Sequence, residues 1–208
     1  MRPVSAVLGK IIHIIVTCGF LLYPVLMYVG LQWYSPRLIA ILLGIGAVGN
    51  FLYIQPTRYH TRLLFPVIGT LILCLISALL NQSSAILYLP LFISTNLGLS
   101  FGYSLLHPPS MVEIFAKMST HDLSEEAIRY CRLVTCIWVV FFALNATVAG
   151  LTACCAELKV WSLYNGFVAY CAIGLLFTTE LCYRYWRFRR YVGLPTDFFF
   201  KRIFPPKE

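Results

Sequence analysis

Charged side chains are scarce in this chain. They make up 12% of its 208 residues, and only eight are acidic. A soluble domain carries about 25%, so too little polar surface is present for a water-soluble monomer. The eight cysteines, at 18, 74, 131, 136, 154, 155, 171 and 182, include no C-x-x-C pair. Thioredoxin-like thiol chemistry therefore has no local basis. No zinc-ligand spacing occurs, and no metal or cofactor is expected. Cys154 and Cys155 are adjacent near a predicted helix end and read as small buried hydrophobes. The chain also lacks a paired-aspartate motif for metal-assisted prenyl or alcohol-phosphate transfer, an H-E-x-x-H, a P-loop and a G-x-S-x-G. His107, beside two prolines, is a weak acid–base candidate. Neither an inverted repeat nor a pair of broken helices of the kind that builds transporters is evident. No A-x-A site follows the first apolar run, so the first span is expected to remain as an anchor.

Long apolar runs are what the sequence does have. Apolar residues make up 60% of the chain and fall in blocks. A spanning helix needs about 20 of them. Six candidate spans follow, at about 11–33, 37–55, 63–80, 85–106, 130–153 and 160–183. The expected fold is all-α, a polytopic bundle of six transmembrane helices in one integral membrane domain. The breaks are physical: Tyr34-Ser35-Pro36, the polar stretch from Gln55 to His60, the hairpin Asn81-Gln82-Ser83-Ser84, and His107-Pro108-Pro109. Pro24 falls inside the first span and is expected to kink it.

The net charge is +8. Because the cations flank apolar spans, the sequence points to a membrane surface and away from nucleic acid. With the N-terminus inside, fourteen of the sixteen Lys and Arg fall on the same side, leaving only Arg37 and Lys159 outside. That split predicts both termini in the cytoplasm. Residues 107–128 become a cytoplasmic loop, within which 111–118 (MVEIFAKM) has the spacing of a short interfacial helix. Asp122-Leu-Ser-Glu125 resembles a capping box and starts the fifth helix in water, which puts Arg129 and Arg132 at headgroup depth. Residues 184–208 become a basic cytoplasmic tail. Its arginines Arg184, Arg187, Arg189 and Arg190 interleave with aromatics and form a candidate patch for anionic lipid or an acidic partner. Gly193 with Pro195 reads as a helix stop, and the final DFFFKRIFPPKE as interfacial rather than folded.

Small residues mark packing seams, notably Ser94-x-x-x-Gly98-x-x-x-Gly102. Polar groups within spans carry more information, since lipid cannot satisfy them. These are Asn50, Asn96, Asn145, Asn165 and Glu180. Spans five and six are expected to be antiparallel neighbours. Arg129 and Arg132 would then begin one at the depth where Glu180 ends the other, with Arg184 a favourable helical partner four residues on. A cytoplasmic-side polar pocket is thus expected from Arg129, Arg132, Glu180, His107, Asn50 and Asn96, with His13 able to join. It would suit an anionic headgroup whose tail lies between helices.

One resemblance adds to this. RYCRLVTCIWVVFFALNATVAGLTA (129–153) and WSLYNGFVAYCAIGLLFTTELCYR (161–184) are similar to a pattern Y-C-R-x-V-T-x-x-W, then F-F-x-x-N, W-x-x-Y-N-G and a late glutamate. The matching positions are Tyr130, Cys131, Arg132, Val134, Thr135, Trp138, Phe141, Phe142, Asn145, Trp161, Tyr164, Asn165, Gly166 and Glu180. The pattern resembles a family of small bacterial inner-membrane proteins whose genes accompany acyl carrier proteins and acyl-activating enzymes in aryl-polyene or xanthomonadin-type pigment clusters. The resemblance implies a setting in envelope lipid or pigment assembly, and no catalytic residue.

The leading expectation is an accessory, non-catalytic inner-membrane protein that handles or docks a lipid-linked acyl or polyene intermediate at the cytoplasmic leaflet. Its partners would be membrane lipids and acyl carrier protein or other synthesis proteins. The alternatives are a transporter or flippase for the product, a membrane acyl- or glycosyl-transferase with an unfamiliar site, and a scaffold for soluble synthases.

Overall fold

Hydrocarbon offers a peptide group no hydrogen-bond partner, so an apolar block must satisfy its backbone internally. The computed structural model describes residues 22–53, 60–119, 123–189, 195–203 and 205, and no strand occurs among them. The helices are α1 (Tyr23–Trp33), α2 (Pro36–Tyr53), α3 (His60–Leu80), α4 (Ser84–Leu87), α5 (Leu89–Leu106), α6 (Met111–Ser119), α7 (Glu125–Cys155), α8 (Leu158–Leu163), α9 (Ala169–Phe188) and α10 (Pro195–Ile203). A π-turn, Tyr164–Val168, joins α8 to α9. Among the described residues three stretches are long and apolar enough to cross a bilayer: Ser84–Leu106, Glu125–Cys155 and Leu158–Phe188, of 23, 31 and 31 residues. Two shorter apolar stretches, Pro36–Gly49 and Val67–Leu80, lie within α2 and α3.

At 1.5 Å per residue, a helix as long as α7 measures about 46 Å, against about 30 Å of hydrocarbon. Its ends therefore stand in headgroups or water. The helix starts at Glu125, ahead of the apolar span expected from 130 and within the stretch where the capping box was expected to start it in water. Ser124 caps the helix, its Oγ accepting from Ala127 N at 3.3 Å, while Asp122 lies outside the described residues. Residues 11–21 of the expected first span also lie outside them. Pro24 falls in the first turn of α1, where a missing N–H costs nothing; the stretch before it, on which the expected kink depends, lies outside the described residues.

At the other end of the chain, α9 stops at Phe188 without the expected glycine. Arg189 takes the left-handed conformation (φ 49°), and its N–H returns to Tyr185 O at 3.1 Å. Gly193 lies outside the described residues, and Pro195 opens α10 rather than ending α9. The tail expected to be unfolded is helical over this stretch. Phe200 of α10 is buried and stacks on Tyr185, with ring centroids 4.3 Å apart.

By contact the chain divides into two units, Met1–Asn96 with Ala143–Ala169, and Leu97–Phe142 with Tyr170–Glu208. In the first, α2 and α3 form a hairpin tied at its open ends. Asn81 follows α3 in the left-handed conformation (φ 53°), which asparagine tolerates. Its Oδ1 accepts from Arg37 N at 3.3 Å, and Arg37 Nε donates to Ala78 O at 2.9 Å. A cation at a helix C-terminus satisfies its orphan carbonyls and its dipole together. Ser77 Oγ also donates to Gln82 O.

The core of this unit is built on Trp161, which is fully buried with Tyr23, Met27, Ala40, Cys74, Ile86 and Leu89. Its Nε1 donates to Leu87 O at 3.0 Å, and Tyr23 meets its ring edge-on at 6.0 Å. Ser162 Oγ donates to Pro24 O at 2.9 Å. Gly166 lets α1 come close, since a Cβ there would stand 3.0 Å from Val25 Cγ2. The second unit packs Phe101, Trp138, Phe141 and Phe142 into an aromatic cluster with centroid spacings of 5.3–6.3 Å. Gly98 of the expected small-residue seam faces Phe142 there, but Gly102 faces nothing within 4 Å.

Candidate headgroup and interhelical polar sites

The phase of α7 decides where its functional side chains go. Its buried stripe is Cys131, Val134, Thr135, Phe142, Asn145, Ala146 and Ala149, the three-and-four spacing of a single helix face. The opposite stripe, Leu133, Ile137, Val140, Leu144 and Leu151, is exposed, and Arg129 and Arg132 stand exposed at its head. Tyr130 lies about 100° round the helix from Arg129 and turns to the packed side. Its ring stacks on Tyr183 and meets Phe188, and its OH lies 3.5 Å from Glu180 Oε1.

Of the expected pocket, the pairing of Glu180 with Arg129 and Arg132 is replaced by other partners. Glu180 is met by Arg184, Nε to Oε1 at 3.6 Å, and by Tyr130. Among the described residues Arg129 and Arg132 form no ion pair, because the turn that aims Tyr130 at Glu180 aims them away. His107 is exposed and stacks on Tyr103 at 4.2 Å, with Nδ1 3.4 Å from Tyr103 O. Asn96 spends its Nδ2 on Phe92 O of its own helix at 2.8 Å. Asn50 lies in α2, with its side chain outside the described ones, and His13 lies outside the described residues.

The expected basic patch is largely occupied within the chain. Arg184 meets Glu180, Arg187 pairs with Glu126 at 2.5 Å, and Arg189 Nη1 donates to Pro205 O at 2.8 Å. Arg190 lies outside the described residues.

Glu113 was not singled out by the sequence reading, yet its side chain is 8% exposed and paired with Lys117 at 2.7 Å. It closes the α6 N-terminus, with Oε2 accepting from Ser110 N at 3.3 Å. The signal was available, because Ser110-Met-Val-Glu113 is a capping box directly after Pro108-Pro109. The usual second half of that box is replaced. Met111 N donates to Ser104 Oγ at 2.9 Å and Val112 N to Thr135 Oγ1 at 3.3 Å, so hydroxyls of the flanking helices dock α6. Among the described residues no group of three or more His, Cys, Asp or Glu is arranged to hold a metal.

In the first unit a line of side chains links three helices. Asn145 Nδ2 donates to Ser94 Oγ at 2.8 Å, and Tyr164 OH donates to Asn145 Oδ1 at 2.9 Å. The π-turn beside it shifts the backbone ladder by one residue, a feature common at functional sites. Asn165 serves that turn, its Nδ2 donating to Trp161 O at 2.9 Å. A second interruption falls at Tyr88, between α4 and α5. A groove of about 490 Å³ between α2 and α3 is lined by Ala40, Gly44, Cys74, Leu75 and neighbours. It offers no polar group for chemistry.

Within the three spanning windows only 17, 28 and 22% of residues are buried, so the rest keep apolar surface outside the chain's own packing. The chain is a helical membrane protein. Compared with family models, curated proteins and solved structures, it matches none.

Proposed function

We propose that the chain is an accessory protein of the bacterial inner membrane, crossing it six times with both termini cytoplasmic. It holds the anionic head of a lipid-linked acyl or polyene intermediate at the cytoplasmic leaflet. The observation that carries this reading is the outward stripe of α7. Two exposed arginines without ion pairs among the described residues stand directly above Leu133, Ile137, Val140 and Leu144. Arginines three residues apart lie on one helix face and can bracket one phosphate. The stripe below offers the tail an apolar track. The pigment-cluster resemblance supplies the acyl or polyene setting, and acyl carrier protein or another synthesis enzyme is the proposed soluble partner.

The test is full-length protein in nanodiscs, with retention of anionic acyl lipid measured by native mass spectrometry. Arg129→Ala with Arg132→Ala should lower retention several-fold at unchanged helix content. In cells the same variant should lose the lipid or pigment product at unchanged protein level. Unchanged retention and product would reject the reading. A flippase reading draws on a separate observation, the π-turn Tyr164–Val168 inside the long stretch Leu158–Phe188. Finished product accumulating in the inner membrane of a deletion strain would favour it.

A further inference from the structure

We propose that the end of α9 binds the ammonium headgroup of a zwitterionic phospholipid, with Glu180 as its anion and Tyr183 and Trp186 as its aromatic wall. The starting point is a carboxylate with weak partners. The Glu180 side chain is only 10% exposed, yet its contacts are Arg184 Nε at 3.6 Å and Tyr130 OH at 3.5 Å, both on Oε1. Those lengths lie at the outer edge of hydrogen bonding. Among the described residues Oε2 has no partner. A buried anion is costly unless strongly paired, so the site suits a cation from outside the chain.

The surroundings select the kind of cation. Tyr130 stacks on Tyr183 at 5.6 Å and meets Phe188 at 5.3 Å, while Trp186 lies 5.7 Å from Tyr183. Tyr183 and Trp186 remain 46% and 53% exposed, so their rings are accessible at the edge of the cluster. Aromatic faces attract ammonium groups, quaternary ones included. Arg184 stands one turn beyond Glu180, with 41% of its side chain exposed. Arg187 is already taken by Glu126, while Arg184, paired with Glu180 only at 3.6 Å, keeps an exposed side for a phosphate. A phosphate and an ammonium joined by two carbons thus meet opposite charges four residues apart on one helix face, whose nearest atoms stand 3.6 Å apart. A lipid is favoured over a soluble amine because the stripe continues. From Trp186 and Tyr183 it runs through Thr179 to Leu175 at three- and four-residue steps, and all four are exposed. An acyl chain can lie along that track.

The site is separate from the Arg129–Arg132 pair, and the experiment keeps them apart. Full-length protein is placed in nanodiscs of equal phosphatidylcholine, phosphatidylethanolamine and phosphatidylglycerol, then stripped and weighed by native mass spectrometry. Retained choline or ethanolamine lipid should fall several-fold in Glu180→Gln and in Tyr183→Ala, with phosphatidylglycerol unchanged. The Arg129→Ala and Arg132→Ala double variant should show the reverse. Tyr183→Ala guards against a folding defect, since it leaves the carboxylate in place. Zwitterionic lipid not retained by the wild type, or retained equally by both single variants, overturns the proposal. So does a loss of phosphatidylglycerol in Glu180→Gln.

Discussion

Replacing Tyr164 by Phe removes one oxygen from the buried line Ser94–Asn145–Tyr164, and the structure sets what that should cost. Tyr164 OH donates to Asn145 Oδ1 at 2.9 Å, and Asn145 Nδ2 donates to Ser94 Oγ at 2.8 Å. Interhelical bonds of this kind in a bilayer average about 0.6 kcal/mol and reach about 1.7. Tyr164→Phe should therefore destabilise by about 0.6–1.7 kcal/mol. Asn145→Ala breaks both bonds and strands two hydroxyls, so roughly 1–3 kcal/mol is expected. The informative quantity is the coupling in the double variant. It should equal the Tyr164–Asn145 bond alone, about 0.6–1.7 kcal/mol, and the cycle of Ser94→Ala with Asn145→Ala should give a similar value. Steric-trap unfolding in bicelles measures each corner. Additive single and double variants, with no coupling in either cycle, would refute the claim that this line joins the helices.

Other positions give independent checks by the same assay. Gly166→Ala should destabilise by about 1–3 kcal/mol, because its Cβ would crowd Val25, whereas Gly174→Ala, with nothing within 4 Å, should be neutral or mildly stabilising. Trp161→Phe keeps a ring in the core but leaves Leu87 O without its 3.0 Å donor, and should cost about 1–3 kcal/mol. Glu113→Ala should leave α7 and α9 helical yet release α6, seen as faster amide exchange over Met111–Ser119. Unchanged exchange there would show that the hydroxyls of Ser104 and Thr135 suffice.

The helical blocks were legible because each apolar run ends at residues with a physical reason to break a helix. Span four, expected at 85–106, is Ser84–Leu106, bounded by a polar hairpin and tandem prolines. The start of α7 was legible in its capping residues and not in hydropathy, and the end of α9 was less legible. Glu125–Arg129 and Arg184–Phe188 are too polar for a hydropathy count, but caps and ion pairs carry the helix past the bilayer. The candidate site was legible in composition and not in direction. Arg129, Tyr130 and Arg132 stand within four residues, and only packing shows that the tyrosine meets Glu180 while the arginines face out. Counting Thr135, Asn145, Ala146 and Ala149 as one inward stripe would have given that phase. The π-turn has no comparable signature, since YNGF is compatible with an ordinary helix.

The most direct test of the account is the side of the membrane on which each turn lies. Reporter fusions or single-cysteine labelling at Gln82 and Glu157 should report the periplasm, and those at Ser124 and Pro205 the cytosol. With Ser124 cytosolic, Arg129 and Arg132 stand in the inner leaflet as the proposed headgroup site requires. A periplasmic Ser124, or a cytosolic Gln82, would contradict it.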